Sequence, residues 1–287
     1  MEIRLSQTMG YCTGVSRALA MAERAIAQAT EQAQPVYSLG KLIHNRQVNE
    51  RLSSKGLGEI DRADEGEAGL VVVRAHGIPD DLREEFTTAG HQLIDATCPV
   101  VKHNLRRIAH YCTTHKILIV GHKDHPETVA MQGVRNDGEL CRSRLITSVE
   151  EVGAPICGER YAVFVQTTFD EIAWSAIKVQ LAAFSDSASE VVFVNDVCSS
   201  SINRRSALIK LTEECDAIIV IGGKNSANTR ALYHLAVESG VKAWHIEDER
   251  DVLPQMFECD ILGITAGAST PVEVIDAVVR RLEQEQS

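Results

Sequence analysis

The chain has 287 residues, of which 44% are hydrophobic and 24% are charged, as in an ordinary soluble globular protein. Its 40 acidic and 29 basic residues give a net charge of −11, which argues against a bulk nucleic-acid-binding surface, because such surfaces are basic. No apolar run reaches the roughly 18 to 20 residues of a membrane helix, and the N-terminus lacks the apolar core of a signal peptide. We therefore expect a cytoplasmic protein that binds neither membranes nor nucleic acids.

Short β-rich runs alternate with helical patterns along the whole chain. Strands are predicted at residues 36–39, 70–73, 93–95, 117–120, 162–165, 191–194, 217–221, 243–246 and 261–264. Helices are predicted at residues 15–29, 45–55, 80–89, 100–115, 169–184, 200–215, 227–239 and 271–284. This alternation predicts an α/β fold with parallel sheets, in which ligands bind at the carboxyl ends of the strands.

A threefold repeat is superimposed on this alternation. A Gly-led polar loop occurs at residues 40–45, 121–128 and 222–229. A cysteine precedes each loop, and the three are Cys12, Cys98 and Cys198. A polar residue follows a later strand of each copy, and the three are His76, Thr168 and Ser269. We expect three similar α/β units, residues 1–92, 93–190 and 191–287, around a pseudo-threefold axis, with the C-terminal segment packed on the first unit.

The three cysteines share a local setting that favours a thiolate. Cys98 and Cys198 each follow a short apolar run, and all three precede a helical pattern, where N–H groups and the helix dipole stabilise negative charge. Three thiolates fit a [4Fe–4S] cluster with one open iron, which would act as a Lewis acid. Zinc fits less well because structural zinc takes a fourth ligand. Three unrelated buried cysteines are the remaining alternative.

The other cysteines are expected to be inert, and none of the eight is expected to form a disulfide in a reducing compartment. The polar residues of the repeat form a set of donors suited to phosphate oxygens, although each alone is typical of an ordinary surface residue. This donor set is His44, His76, His125, Ser226, Asn228 and Ser269. Glu127 is a carboxylate within the aligned polar residues, so it is either a proton donor with a raised pKa or a glutamate placed by the helix dipole.

The ordered motifs resemble the 4-hydroxy-3-methylbut-2-enyl diphosphate reductase family over nearly the whole chain. They include Gly-Tyr-Cys-Thr-Gly-Val-Ser-Arg-Ala from Gly10 and Asp-Ala-Thr-Cys-Pro from Asp95. The others lie at residues 43–45, 75–77, 121–122, 125–127, 166–168, 224–226 and 266–269. The resemblance implies a trefoil-like fold of three α/β domains around a central iron–sulfur cluster.

The family performs the last step of the non-mevalonate isoprenoid pathway. Two electrons and two protons remove an allylic hydroxyl as water, giving isopentenyl and dimethylallyl diphosphate. By resemblance, Cys12, Cys98 and Cys198 bind the cluster and the six donors hold the diphosphate. Glu127 supplies protons, Thr168 relays them or orients the substrate hydroxyl, and a small carrier such as ferredoxin or flavodoxin supplies electrons.

The chain departs from the family pattern at three places. Ala227 replaces a second serine, Thr128 begins a Thr-Val-Ala run in place of a Val-Glu-Gly-like run, and residues 199–201 are three serines in place of an Ala-Thr pattern. These departures leave a diverged paralogue open as an alternative. A second alternative is an aconitase-like hydro-lyase, which also uses an open iron, acting on a related phosphorylated substrate. A non-catalytic iron–sulfur or nucleotide-sensing module is a third, although no Gly-x-Gly-x-x-Gly or P-loop supports a nucleotide.

Overall fold

The computed structural model describes residues 1–187 and 189–285, so the last two residues of the third predicted unit lie outside it. Its strands are β1 Glu2–Leu5, β2 Val36–Leu39, β3 Gly58–Ile60, β4 Leu70–Val73, β5 Gln92–Asp95, β6 Lys116–Val120, β7 Arg135–Asn136, β8 Glu139–Leu140, β9 Ser143–Ile146, β10 Arg160–Val165, β11 Glu190–Phe193, β12 Ala217–Ile221, β13 Lys242–Ile246 and β14 Ile261–Ala266. Its α-helices are α1 Thr13–Gln32, α2 Arg46–Ser54, α3 Asp80–Thr88, α4 Pro99–Tyr111, α5 Pro126–Gln132, α6 Glu171–Ala182, α7 Ser199–Glu214, α8 Ala227–Glu238 and α9 Val272–Gln284.

Three four-stranded sheets share one strand order. The orders are β1-β14-β12-β13, β5-β4-β2-β3 and β11-β10-β6-β9, and all neighbouring strands in them are parallel. In each sheet one of the two edge strands leads to a predicted ligand cysteine. These strands are β1, β5 and β11. The predicted α/β class with parallel sheets is therefore confirmed.

The chain divides into two compact units. One consists of Met1–Ser16, Ile43–Arg51 and the described residues from Ser199 onward, and it contains the sheet of β1, β14, β12 and β13. The other consists of Arg17–Leu42 and Leu52–Cys198, and it contains the other two four-stranded sheets.

Helices cover both faces of the sheets, which explains why the central strands are apolar without alternation. In β12, Ile219 and Ile221 pack with Val278 of α9, whereas Ile218 and Val220 pack on the opposite face among residues of α7 and α8. All five residues of β12 are buried. A parallel strand buried on both faces is expected to form such a continuous apolar run.

The glycine at the start of each polar loop extends the sheet ladder by one hydrogen bond. The N–H groups of Gly40, Gly121 and Gly222 donate to carbonyls of the neighbouring strand at 2.9, 3.1 and 2.8 Å. Gly222 has φ +148°, and a Cβ there would lie 2.6 Å from Oγ1 of Thr270 and 2.7 Å from Oγ1 of Thr229. Glycine is required there because the first turn of α8 packs directly against the end of β12.

The sequence prediction missed several short elements. These are β1, β3, the β7–β8 hairpin, β9 and α5. The missed strands have two to four residues and several carry charges, and α5 has only seven residues. Such elements are too short for a hydrophobic period to be recognised, and their neighbours in the fold determine them.

The three-unit division stays a prediction. The boundaries at 93 and 191 fall one residue inside β5 and β11, and each of these strands pairs with a strand that precedes it in sequence. Over the described residues, no helix is long and apolar enough to cross a membrane.

The expectation that no cysteine forms a disulfide was wrong for one pair. Cys112 and Cys141 are joined as a disulfide, with their Cα atoms 5.5 Å apart. Cys112 follows the last residue of α4 and Cys141 follows β8, and both pack in the same hydrophobic cluster. The pairing arises from the packing of the hairpin near the end of α4, which the spacing of the two residues in sequence does not reveal.

Candidate active site

Each predicted ligand cysteine is fixed by the same backbone hydrogen bond. The N–H of Cys98 donates to the carbonyl of Ala75 at 2.9 Å, and that of Cys198 donates to the carbonyl of Thr167 at 2.8 Å. In the other unit, the N–H of Cys12 donates to the carbonyl of Ala268 at 3.1 Å. Each acceptor lies just beyond the strand next to the edge strand, so the cysteine loop crosses over the carboxyl end of its neighbouring strand.

Each cysteine also lies immediately before a helix. Helices α1, α4 and α7 begin at the residues after Cys12, Cys98 and Cys198. All three cysteines are half-buried, and none of them is part of a disulfide. The Sγ atom of Cys12 accepts the backbone N–H of Val15 at 3.4 Å, so this sulfur already receives a hydrogen bond from the first turn of α1. A helix N-terminus favours the thiolate form that binds metals.

The residue after each acceptor carbonyl is one of the predicted polar site residues. Cys98 is thus bonded to the residue before His76, Cys198 to the residue before Thr168, and Cys12 to the residue before Ser269. The repeat in the sequence grouped Cys12 with His76 and Cys98 with Thr168 by chain order. The sheets group them differently because β5 pairs with β4, and β11 pairs with β10.

His76 and His125 come together in the unit that contains Cys98. Their ring centroids are 5.3 Å apart and the rings are nearly perpendicular. His125 is the N-cap of α5, and its Nδ1 atom accepts the backbone N–H of Glu127 at 3.2 Å. In the neutral ring this places the proton on Nε2, so that atom is a hydrogen-bond donor.

Glu127 is a buried acid with a strongly perturbed pKa. The residue is only 1% exposed. One carboxylate oxygen accepts the N–H of Thr167 at 2.8 Å, and the other accepts the hydroxyl of Thr167 at 2.7 Å. Burial raises the pKa of Glu127 from 4.5 to about 7, although both hydrogen bonds oppose the shift by favouring the carboxylate. Glu127 is therefore able to hold or release a proton near neutral pH.

Thr168 is oriented by a network that the sequence did not reveal. Its Oγ1 atom accepts the side-chain Nε2 of Gln166 at 2.8 Å, so the threonine hydroxyl keeps its own proton to donate. The Oε1 atom of Gln166 accepts the N–H of His122 at 3.0 Å and the hydroxyl of Thr128 at 3.3 Å. These two donors fix the orientation of the amide. Thr128, one of the departures from the family pattern, thus supports Thr168 through Gln166.

The remaining predicted residues lie together in the unit that contains Cys12. The Oδ1 atom of Asn228 accepts the N–H of Ala268 at 2.9 Å, while the carbonyl of Ala268 binds Cys12. The hydroxyl of Ser269 donates to the backbone carbonyl of His44 at 3.3 Å. One peptide segment, residues 268–269, therefore connects Asn228, Cys12 and the loop of His44.

The first turn of α8 supplies Ser226 and Asn228. Ser226 is the N-cap, and its Oγ atom accepts the N–H of Thr229 at 3.3 Å, which leaves its own hydroxyl proton available. The Nδ2 atom of Asn228 lies 3.5 Å from Oγ of Ser201, a second departure from the family pattern. The third departure, Ala227, is buried.

Thiols, imidazoles and a buried acid at the ends of parallel strands are typical of an enzyme active site. A family model described as LytB protein matches residues 3–283. A protein of Treponema denticola named 4-hydroxy-3-methylbut-2-enyl diphosphate reductase is 33% identical over 98% of this chain and 99% of its own. A protein of Aquifex aeolicus with the same name is 32% identical over 99% of this chain and 96% of its own.

Two solved structures are also similar. The E-1-hydroxy-2-methyl-but-2-enyl-4-diphosphate reductase of Plasmodium falciparum has a TM-score of 0.88 at 24% identity, covering 97% of this chain and 87% of that chain, and this likeness concerns the fold. A second reductase, described as the terminal enzyme of the non-mevalonate pathway, has a TM-score of 0.71 at 31% identity, covering 99% of this chain and 100% of that chain. The chain belongs to the LytB family of 4-hydroxy-3-methylbut-2-enyl diphosphate reductases.

The raised pKa of Glu127 predicts a specific pH dependence of stability. The folded state binds this proton more tightly than the unfolded state, so the contribution of Glu127 to the free energy of unfolding is largest below pH 4.5 and falls as the pH rises to about 7. At about 1.4 kcal/mol per pH unit, the fall is about 3 kcal/mol. We expect the metal-free Glu127→Gln variant to lack it. The measurement is the free energy of unfolding in urea at several pH values between 4.5 and 7, and the control is Glu139→Gln at an exposed position. If the free energies of wild type and Glu127→Gln changed equally with pH, the pKa assignment would be contradicted.

The support that Thr128 gives to Gln166 predicts a small loss of stability on Thr128→Val. The substitution keeps the shape of this fully buried side chain but removes one of two donors to Oε1 of Gln166. We expect the free energy of unfolding to fall by about 1 kcal/mol, the usual net value of one such hydrogen bond. The control Thr128→Ser keeps the hydroxyl. A Thr128→Val variant as stable as wild type would show that the contact at 3.3 Å contributes nothing.

Proposed function

We propose that this protein reduces 4-hydroxy-3-methylbut-2-enyl diphosphate to isopentenyl and dimethylallyl diphosphate. The allylic C–O bond breaks, two electrons enter, one proton joins the leaving oxygen to form water and one joins carbon. Membership of the LytB family and the names of its relatives support this assignment. The observation that carries it within the chain is Glu127, because a buried acid with a pKa of about 7 is suited to protonating a poor leaving group.

The cofactor we assign is a [4Fe–4S] cluster held by Cys12, Cys98 and Cys198, with one iron open. LytB proteins are iron–sulfur enzymes. When bound, such a cluster would supply electrons and Lewis-acid chemistry. The three cysteines fit this role because each lies outside any disulfide, is half-buried and immediately precedes a helix.

Other cysteines fit the role less well. Burial raises the pKa of Cys215 to about 11 and raises that of Cys259, so both favour the neutral thiol. Cys112 and Cys141 are paired with each other, and Cys157 is exposed. Exposure leaves a thiolate at Cys157 without shielding from solvent and oxidants. These differences favour the same three cysteines that the family resemblance implies.

For the diphosphate we assign the six donors named from the sequence. His125 offers Nε2–H because its Nδ1 atom is occupied by the N–H of Glu127, and His76 lies against it. Ser226 keeps its hydroxyl proton because its oxygen caps α8. Asn228 is oriented by the N–H of Ala268. The hydroxyl of Ser269 donates to the carbonyl of His44 in this structure and would turn from it to reach a phosphate oxygen. His44 completes the set by resemblance. Histidine, serine and amide donors hold phosphate oxygens by charge-assisted hydrogen bonds.

Protons are assigned to Glu127 and Thr168. In the structure Glu127 contacts Thr167, while Thr168 is held by Gln166. The hydroxyl of Thr168 retains its proton in this arrangement, which suits donation to a substrate oxygen. Glu127 then acts as the reservoir from which that proton is replaced.

We further assign a cytoplasmic location and a small electron carrier, a ferredoxin or a flavodoxin, as donor.

The test of the proposal is an anaerobic assay with reconstituted protein, the hydroxylated C5 diphosphate and an artificial one-electron reductant. We expect both C5 diphosphate products, and no turnover when the reductant is omitted. Glu127→Gln should keep its iron and bind substrate, yet lose about 10²- to 10⁴-fold in turnover, the usual value of a general acid. Thr168→Ala should lose less, because water can take the place of a hydroxyl.

Three results would contradict these assignments. Turnover without a reductant would indicate a hydro-lyase of the aconitase type. Reduction of a different phosphorylated substrate, but not of this one, would indicate a diverged paralogue. Near-normal turnover of Glu127→Gln at saturating reductant would show that the proton comes from another group.

A further inference from the structure

Three arginines hold the backbone around the predicted ligand cysteines. Each arginine lies on the helix that follows one of these cysteines and donates to a backbone carbonyl that precedes a different one. The donors are Arg17 on α1, Arg107 on α4 and Arg204 on α7, and the acceptors are the carbonyls of Thr97, Val194 and Gly10. The arginine on the helix after Cys12 thus binds the backbone before Cys98, and the arginine on the helix after Cys98 binds the backbone before Cys198. The arginine on the helix after Cys198 binds the backbone before Cys12.

Arg17 fixes the peptide group that contains the N–H of Cys98. Its Nη1 atom donates to the carbonyl of Thr97 at 3.1 Å, and the N–H of the same peptide group donates to the carbonyl of Ala75 at 2.9 Å. The preceding N–H, that of Thr97, is held by Oδ1 of Asp95 at 3.1 Å. The Cα atom of Cys98 is therefore held on one side by three hydrogen bonds.

Arg107 acts where the chain leaves β11. Its Nη1 atom donates to the carbonyl of Val194, whose N–H donates to the carbonyl of Val163 at 2.9 Å. The next residue, Asn195, binds both backbone groups of Val165 through its side chain, at 2.8 and 2.9 Å. The segment that leads to Cys198 therefore starts from a fixed position.

Arg204 is the most deeply buried of the three, with only 3% of its surface exposed. Its Nη2 atom donates to the carbonyl of Gly10 at 2.6 Å, two residues before Cys12. Its Nη1 atom donates to the carbonyl of Ser200 at 2.9 Å and also contacts the hydroxyl of Ser200. Ser200 belongs to the serine run that departs from the family pattern.

The acceptors in all three cases are neutral carbonyls, so these hydrogen bonds leave the guanidinium charges in place. A cluster ligated by thiolates carries negative charge, and nearby positive charge raises its reduction potential. We propose that Arg17, Arg107 and Arg204 are positioning residues for the cluster, which hold the three ligand loops and offset the charge of the thiolates. This inference rests on the proposed iron–sulfur function.

The test compares Arg17→Gln and Arg107→Gln with Arg24→Gln and Arg106→Gln as matched controls. Arg24 and Arg106 are exposed residues on the same two helices, and Arg24 donates only to a carbonyl of its own helix. The measurements are the rate of iron loss to a chelator under anaerobic conditions and the reduction potential of the cluster. We expect iron loss to be about tenfold faster in the first pair, as for the loss of one charge-assisted hydrogen bond.

The reduction potential separates this role from a merely structural one. It should fall in Arg17→Gln and return towards the wild-type value in Arg17→Lys, which restores the charge. Equal iron loss and equal potentials in all four glutamine variants would overturn the proposal. Arg204→Gln is the third variant, but because Arg204 is buried the decision rests on Arg17 and Arg107.

A measurement on the metal-free protein keeps this proposal distinct from the proposed function. The alkylation rate of Cys98, relative to that of the exposed Cys157, should rise about tenfold in Arg17→Gln when the loop loses its hydrogen bond. Wild-type protein that takes up no iron would refute the proposed function. An unchanged alkylation ratio would refute the positioning role of Arg17, whatever the cofactor.

Discussion

The hydrogen bond from the N–H of each predicted ligand cysteine to the end of the neighbouring strand is the constraint on which the proposed site depends. It occurs at Cys12, Cys98 and Cys198, and in each case the acceptor residue immediately precedes a polar site residue. A net value of about 1 kcal/mol is small for each bond. Its importance is geometric, since it fixes a thiol at the start of a helix beside the polar end of a parallel strand.

The parallel sheet makes this bond possible. In a parallel sheet the carboxyl ends of all strands point the same way. A loop that leaves an edge strand at its carboxyl end therefore passes the carboxyl end of the neighbouring strand. In each of the three sheets, the strand that precedes the cysteine lies at one edge. Because the loop turns directly into a helix, the thiol receives the favourable field of the helix N-terminus as well as a fixed backbone.

Glu127 shows a local conflict between stability and function. Its burial opposes ionisation, and two hydrogen bonds from Thr167 to its oxygens partly offset this effect. A glutamine there would avoid the cost of burying an ionisable group. A buried acid whose pKa is shifted towards neutrality is typical of functional sites.

The sequence allowed the fold class and most of the long elements to be predicted. Strands such as β12 and helices such as α9 have clear patterns because their burial is regular. The grouping of Cys98 with His76 was not predicted, because it depends on which strands pair rather than on chain order. The roles of Thr167 and Gln166 were also missed, since short polar motifs do not reveal which side chain faces which partner.

The measurement that tests the central claim most directly is the Mössbauer spectrum of protein reconstituted anaerobically with iron-57 and sulfide. Three fixed thiols predict about four irons per chain, of which one has no cysteine ligand and gives a signal distinct from the other three. Four irons with four thiolate ligands, or a protein that retains zinc and no iron, would contradict the claim that Cys12, Cys98 and Cys198 hold a cluster with one open iron.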